Sequence, residues 1–168
     1  TVVTGAQQVL AWRRVVDAEL GRRLAARARG KLWVADVSGL GLLLSAPVPR
    51  LTELFYLGVA QPLAAWPNTG YGTIQRSADV PATDKTTFAV KGRNAGDWLA
   101  APYLRAFAYW FWDWDARTYD VANIDAQTGL LTLAAPGSYY GIKQGQRLRI
   151  ENALIELDSV GEWYLDGA

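Results

Sequence analysis

In YWFWDWD, residues 109–115, two carboxylates stand two positions apart among five aromatic rings. Three kinds of chemistry use such residues. Asp113 and Asp115 suit the acid pair of a glycoside hydrolase. Read as one strand, the stretch puts both on one face about 6–7 Å apart, near the separations that glycosidases use. The same alternation sets Trp110, Trp112 and Trp114 on one face and Tyr109, Phe111 and Asp113 on the other. Exposed, these rings would give sugars flat surfaces to lie on, with Asp113 or Asp115 accepting hydroxyl hydrogen bonds. The third reading is a core strand, since each aromatic ring buries about 150–250 Å². Core outweighs platform, and both outweigh catalysis. Asp113 is better read as an acceptor for an indole or a backbone amide at a strand end, so no catalytic residue is expected.

A second constellation is Trp66-Pro67-Asn68. Proline restricts its own backbone and that of Trp66, and Asn68 can close a turn with its side chain. A structural corner is favoured over a ligand contact, but Trp66 and Asn68 remain candidates for touching sugar. Glu151, Glu156 and Asp158 are of the type that hold a hard cation. They lack a fixed loop pattern, so no metal is expected.

The chain has no Cys, no His and no Met. That excludes disulfides, thiolate sites, Ser-His-Asp catalysis and imidazole ligation, and no cofactor is implied. The joint absence points to an excised fragment or a redesigned sequence. A net charge of +1 calls for neither nucleic acid nor an acidic membrane. No apolar run reaches the roughly 18 residues needed to span a bilayer. Arg22, Arg23, Arg27 and Arg29 on a predicted helix read as a solvated face.

Those residues need elements to position them. Asp17 can cap a helix that Gly30 stops, predicted over 17–30. Strands are predicted in 1–16, 31–37, 86–92, 105–115, 118–125 and 129–135. A hairpin with Gly58 near its turn is predicted over 51–66. DAQTG reads as a hairpin loop closing on Gly129, and GDWLAAPYL as one helical turn. After that come a strand and a helical turn in QRLRIENALIELD and a last strand in GEWYLD. The fold class is mainly β: one domain over 1–168, an antiparallel β-barrel or sandwich-like fold with one short α-helix near the N-terminus. The apolar GLGLLLSAPV, residues 39–48, is a candidate self-association patch.

Four stretches, ELFYLGVAQPLAAWPNTGY, YWFWDWD, SYYGIKQGQRLRIENALIELD and GEWYLD, carry a further signal. They resemble a β-rich domain inserted in bacterial right-handed parallel β-helix, pectate-lyase-like proteins, many of them secreted glycoside hydrolases. The resemblance implies that 1–12 is the remnant of a β-helix rung and that 161–168 leads back to the helix. It also implies a parent β-helix domain and an oligosaccharide or polysaccharide as partners, and a secreted or periplasmic parent. The chain departs from the pattern at Ala65, where an Arg is expected, at Arg105-Ala106 for His-Gly, and at Val160 for Pro. The rungs expected to hold catalytic carboxylates are missing. A non-catalytic accessory or scaffold domain, natural or engineered, is therefore the leading expectation. A weak carbohydrate-binding module comes next, and a glycosidase last.

Overall fold

The computed structural model describes residues 6–40 and 53–166. An N-terminal arm comes first, with β1 (Arg13–Arg14), α1 (Ala18–Arg23) and β2 (Trp33–Val34), where β1 and β2 pair antiparallel. A hairpin follows, made of β3 (Leu54–Tyr56) and β4 (Val59–Gln61). The remaining strands are β5 (Ala65–Trp66), β6 (Gly72–Gln75), β7 (Thr87–Val90), β8 (Arg105–Tyr109), β9 (Ala116–Ile124), β10 (Leu131–Leu133) and β11 (Arg147–Glu151).

Six of these close into an antiparallel barrel in the order β11-β6-β7-β10-β9-β8, with β8 returning to β11. The closing strand is β11. Its first half pairs with β6 (Arg147 with Thr73), its second half with β5 (Ile150 with Trp66), and its other edge with β8 (Ile150 with Ala106). The inward faces follow the alternation of the sequence. Ala106 and Ala108 are buried on β8 while Arg105, Phe107 and Tyr109 are half-exposed, and Leu148 and Ile150 face inward from β11. The two small alanines leave room for Phe88, Trp98 and Trp110 in the same core.

Local chemistry accounts for the turns. Leu57 and Gly58 both have positive φ, as the two-residue hairpin turn that matches strand twist requires. At the β9–β10 turn, Asp125 Oδ1 accepts from the amides of Gln127 and Thr128 at 2.8 and 3.1 Å, and Gly129 takes positive φ. Both turns follow the sequence reading, as does a 3₁₀ turn at Ala95–Trp98.

Other expectations need correction. The helix is six residues long, not fourteen. Asp17 caps it, accepting from Glu19 and Leu20, but the chain turns extended at Leu24. There Leu24 and Ala28 leave the helix path to pack on Ala64, Leu154 and Leu157, and a short 3₁₀ turn at Ala26–Ala28 follows. The predicted 105–115 strand stops at Tyr109. GEWYLD forms no strand, only a single bridge from Trp163 to Leu63. β6 was not expected at all; pairing with β7 and β11 holds it in place. No strand lies in residues 6–12. Apart from Gly39 and Leu40, in a 3₁₀ turn, the GLGLLLSAPV patch lies outside the described residues.

Candidate functional site at an aromatic rim

The loops after β6, β8 and β10 meet at one end of the barrel. Trp110 ends β8 by continuing its inward parity. Its ring packs edge-on against Phe88 and Tyr119 at 5.4 and 5.5 Å, and its Nε1 donates to the Arg117 carbonyl at 2.9 Å. With that ring inside, the backbone folds over it: the amide of Trp110 donates to the Asp115 carbonyl, and the amide of Asp115 to the Trp112 carbonyl. Residues 110–115 are therefore a turn, and the three tryptophans share no face. Trp110 is core, whereas Trp112 and Trp114 stand 44% and 67% exposed.

The loop between β10 and β11 brings a second pair of rings to the same rim. Tyr140 meets Trp114 edge-on at 5.2 Å and Tyr139 meets Tyr140 at 4.8 Å, and both tyrosines are exposed. One backbone and one side-chain hydrogen bond stitch the two loops together. The Lys143 amide donates to the Trp110 carbonyl at 2.8 Å, and Gln146 Nε2 donates to the Phe111 carbonyl at 2.9 Å. Gly137 allows the tight approach to the β6–β7 loop, since a Cβ there would lie 2.5 Å from the Lys85 carbonyl oxygen. Lys85 Nζ donates to the Tyr139 carbonyl at 2.8 Å, and Lys143 lies 5.9 Å from the Trp112 ring. Four exposed rings are thus held on preformed loops rather than on mobile tips.

The rim continues onto the barrel wall. Tyr109 is half-exposed beside Tyr71 and Phe107 at 5.8 Å from each, with the Arg147 guanidinium 4.0 Å over its ring. Arg147 also pairs with Asp113 at 3.2 Å.

The two aspartates occupy unlike environments. Asp113 is exposed and held by Arg147. Asp115 is buried, with Oδ1 3.7 Å from Arg117 Nε and Oδ2 without a partner among the described residues. Burial pushes the Asp115 carboxyl up, and the Arg117 charge offsets only part of that. The strand geometry that would set both on one face is absent, because the strand ends before them. Asp113 accepts from a guanidinium, not from an indole or amide as expected.

Trp66 and Asn68 sit at the opposite end, in a cleft of about 990 Å³ between the arm and the barrel. Asn68 Nδ2 donates to Asp158 Oδ1 at 2.8 Å and to Ser159 Oγ at 2.6 Å. Asp158 also pairs with Arg27. Burial alone would raise the Asp158 carboxyl, but the hydrogen bonds from Arg27 and Asn68 and the Arg27 charge outweigh it and hold the group below its ordinary value. Glu156, buried at the cleft floor, accepts from Trp98 Nε1 at 2.7 Å and pairs with Arg93. Trp66 lies 6.1 Å from Trp98 and covers Gly72, where any Cβ would collide with the indole. Glu151 is elsewhere, paired with Arg105 at 3.3 Å. Among the described residues no group of three potential metal ligands comes together.

Sequence reasoning missed Tyr139, Tyr140, Lys85 and Lys143. The glycines at 137, 141 and 145, all with positive φ, were the available signal that this loop is shaped rather than slack.

No family model, no curated protein and no solved structure matches the chain.

Proposed function

We propose that the chain is a non-catalytic binding domain that holds a glycan chain against the aromatic rim, as an accessory to a larger carbohydrate-active protein. One observation carries this reading: Trp112, Trp114, Tyr139 and Tyr140 are exposed together on two loops joined by hydrogen bonds from the Lys143 amide and the Gln146 side chain. Large rings fixed in water lose little conformational freedom on binding, and their apolar faces suit the C–H faces of sugar rings. Asp113, exposed in the same turn as Trp112 and Trp114, is placed for polar contact. Asp115 is buried and Asp113 is paired with Arg147, which weighs against the two holding a sugar between them for hydrolysis. The β-helix resemblance is compatible with an accessory role but has no matching relative behind it, so the reading rests on the geometry.

The test is a tryptophan-fluorescence titration with neutral and acidic oligosaccharides. A saturable shift that is lost in Trp112→Ala and Trp114→Ala and kept in Trp66→Ala is the expected result. No shift across the panel, or one lost only with Trp66, would remove the rim as the site.

A further inference from the structure

The net charge of +1 conceals an uneven distribution. Residues 1–40 hold seven Lys and Arg against Asp17, Glu19 and Asp36, whereas the rest of the chain has more acidic than basic residues. Within the arm, Arg27 is tied to Asp158 and Arg23 to the Ala100 carbonyl. Arg13, Arg14, Arg22, Arg29 and Lys31 are exposed and form no ion pair with a described residue. Among these cations stand exposed apolar groups: Leu10, Trp12, Val16 and Trp33, with Arg14 over the Trp33 ring at 5.4 Å.

The β3–β4 hairpin is a second apolar projection. Residues 54–61 carry no charge, and Phe55, Tyr56, Leu57 and Val59 are all exposed, Leu57 at its tip by 86%. A two-stranded hairpin on its own is marginal in water, and this one pairs with no further strand. Arm and hairpin share one anchor. Leu24 and Ala28 of the arm pack with Ala64, three residues past β4, on Leu154 and Leu157.

We propose that this side of the molecule rests on an anionic lipid bilayer, with the hairpin tip in the interface and the arm's cations against the headgroups. Tryptophan, arginine and an uncharged apolar tip are the side chains that suit the boundary between headgroups and acyl chains. Charge complementarity selects anionic lipid. A nucleic acid or an acidic polymer would use the same cations but would leave the hairpin tip in water, which is why lipid is the occupant that accounts for both features. The inference departs from the expectation drawn from net charge and is independent of the rim, which lies at the other end of the barrel.

The test is co-sedimentation of the whole chain with phosphatidylcholine vesicles, alone and mixed with phosphatidylglycerol. Binding about tenfold stronger or more on the mixed vesicles is expected, from several cations near the surface. It should weaken as salt shortens the screening length. Leu57→Asp and Phe55→Ser, both at exposed positions, should each cut binding several-fold with an unchanged melting curve, whereas Trp114→Ala should not. Equal binding to both vesicle types, or no effect of either hairpin variant, would overturn the proposal. So would retention on heparin or single-stranded DNA with no vesicle binding, which would make the arm a polyanion site.

Discussion

The two ends of the barrel are each closed by a buried tryptophan, and they differ in what surrounds it. At the rim, Trp110 satisfies its indole with a backbone carbonyl and leaves Trp112, Trp114, Tyr139 and Tyr140 in water. At the cleft, Trp98 donates to a buried carboxylate, and Glu156, Arg93, Asp158, Arg27 and Asn68 are committed to one another. An end whose buried carboxylates are paired with cations and side-chain donors is built for cohesion. The other end keeps its rings exposed on hydrogen-bonded loops, as the proposed glycan binding requires. Sequence reading placed both kinds of residue on one candidate list. The partners, not the residue types, separate them.

Replacing the rim's inner ring against its outer rings breaks the comparison most sharply. Trp110→Ala should lose about 3–5 kcal/mol of stability, measured by urea unfolding, because its cavity opens beneath two aromatic neighbours. Trp112→Ala and Trp114→Ala should change stability by no more than about 0.5 kcal/mol while removing glycan binding. Next in size, Glu156→Ala should cost about 2–3 kcal/mol, since it leaves Arg93 and the Trp98 indole without their acceptor. Asp113→Asn at the rim should cost almost nothing, as exposed ion pairs contribute little.

Two aspartates sharpen the contrast through pH. Asp158 has a folded value below its ordinary 3.8, so the folded state binds this proton less readily than the unfolded chain. The stability it supplies is complete above 3.8 and disappears as pH falls through the lower folded value. Asp158→Asn should flatten that acid limb in thermal melts. Asp115 behaves in the opposite sense. Its folded value is raised above 3.8, so it opposes folding at neutral pH, and that penalty is relieved as pH falls through the folded value toward 3.8. Asp115→Asn should raise stability at neutral pH by about 1 kcal/mol or less and remove this dependence. No change at either position would mean that the two carboxylates are equally solvated.

Part of the fold was legible because its signals are local. The alternation in Arg105–Tyr109, the Asp125 turn and the Leu57-Gly58 hairpin all follow from side chains within a few residues. The rim was half legible. Period-two alternation runs on through Asp115 in the sequence, and nothing local says that Trp110 will turn inward against Phe88 and Tyr119, seated on other strands. That tertiary contact ends the strand and turns Trp112 and Trp114 outward. Tyr139 and Tyr140 matter only because the Lys143 amide and the Gln146 side chain bond to the carbonyls of residues 110 and 111 and bring their loop to the rim. The arm's charge surplus was readable all along, but a whole-chain net charge averages it away.

The position of β11 in the chain has a consequence for the order of synthesis. Residues 147–151 pair with Ala65–Trp66, Gly72–Thr73 and Arg105–Ala108, so both seams of the barrel wait for a segment made late. Until it arrives, β6 and β8 are open edges, able to recruit strands from other chains. Contacts of such sequence separation slow folding. A chain released without residues 147–151 would therefore display a nearly complete sheet with two unprotected edges, on which strands of other chains can pair.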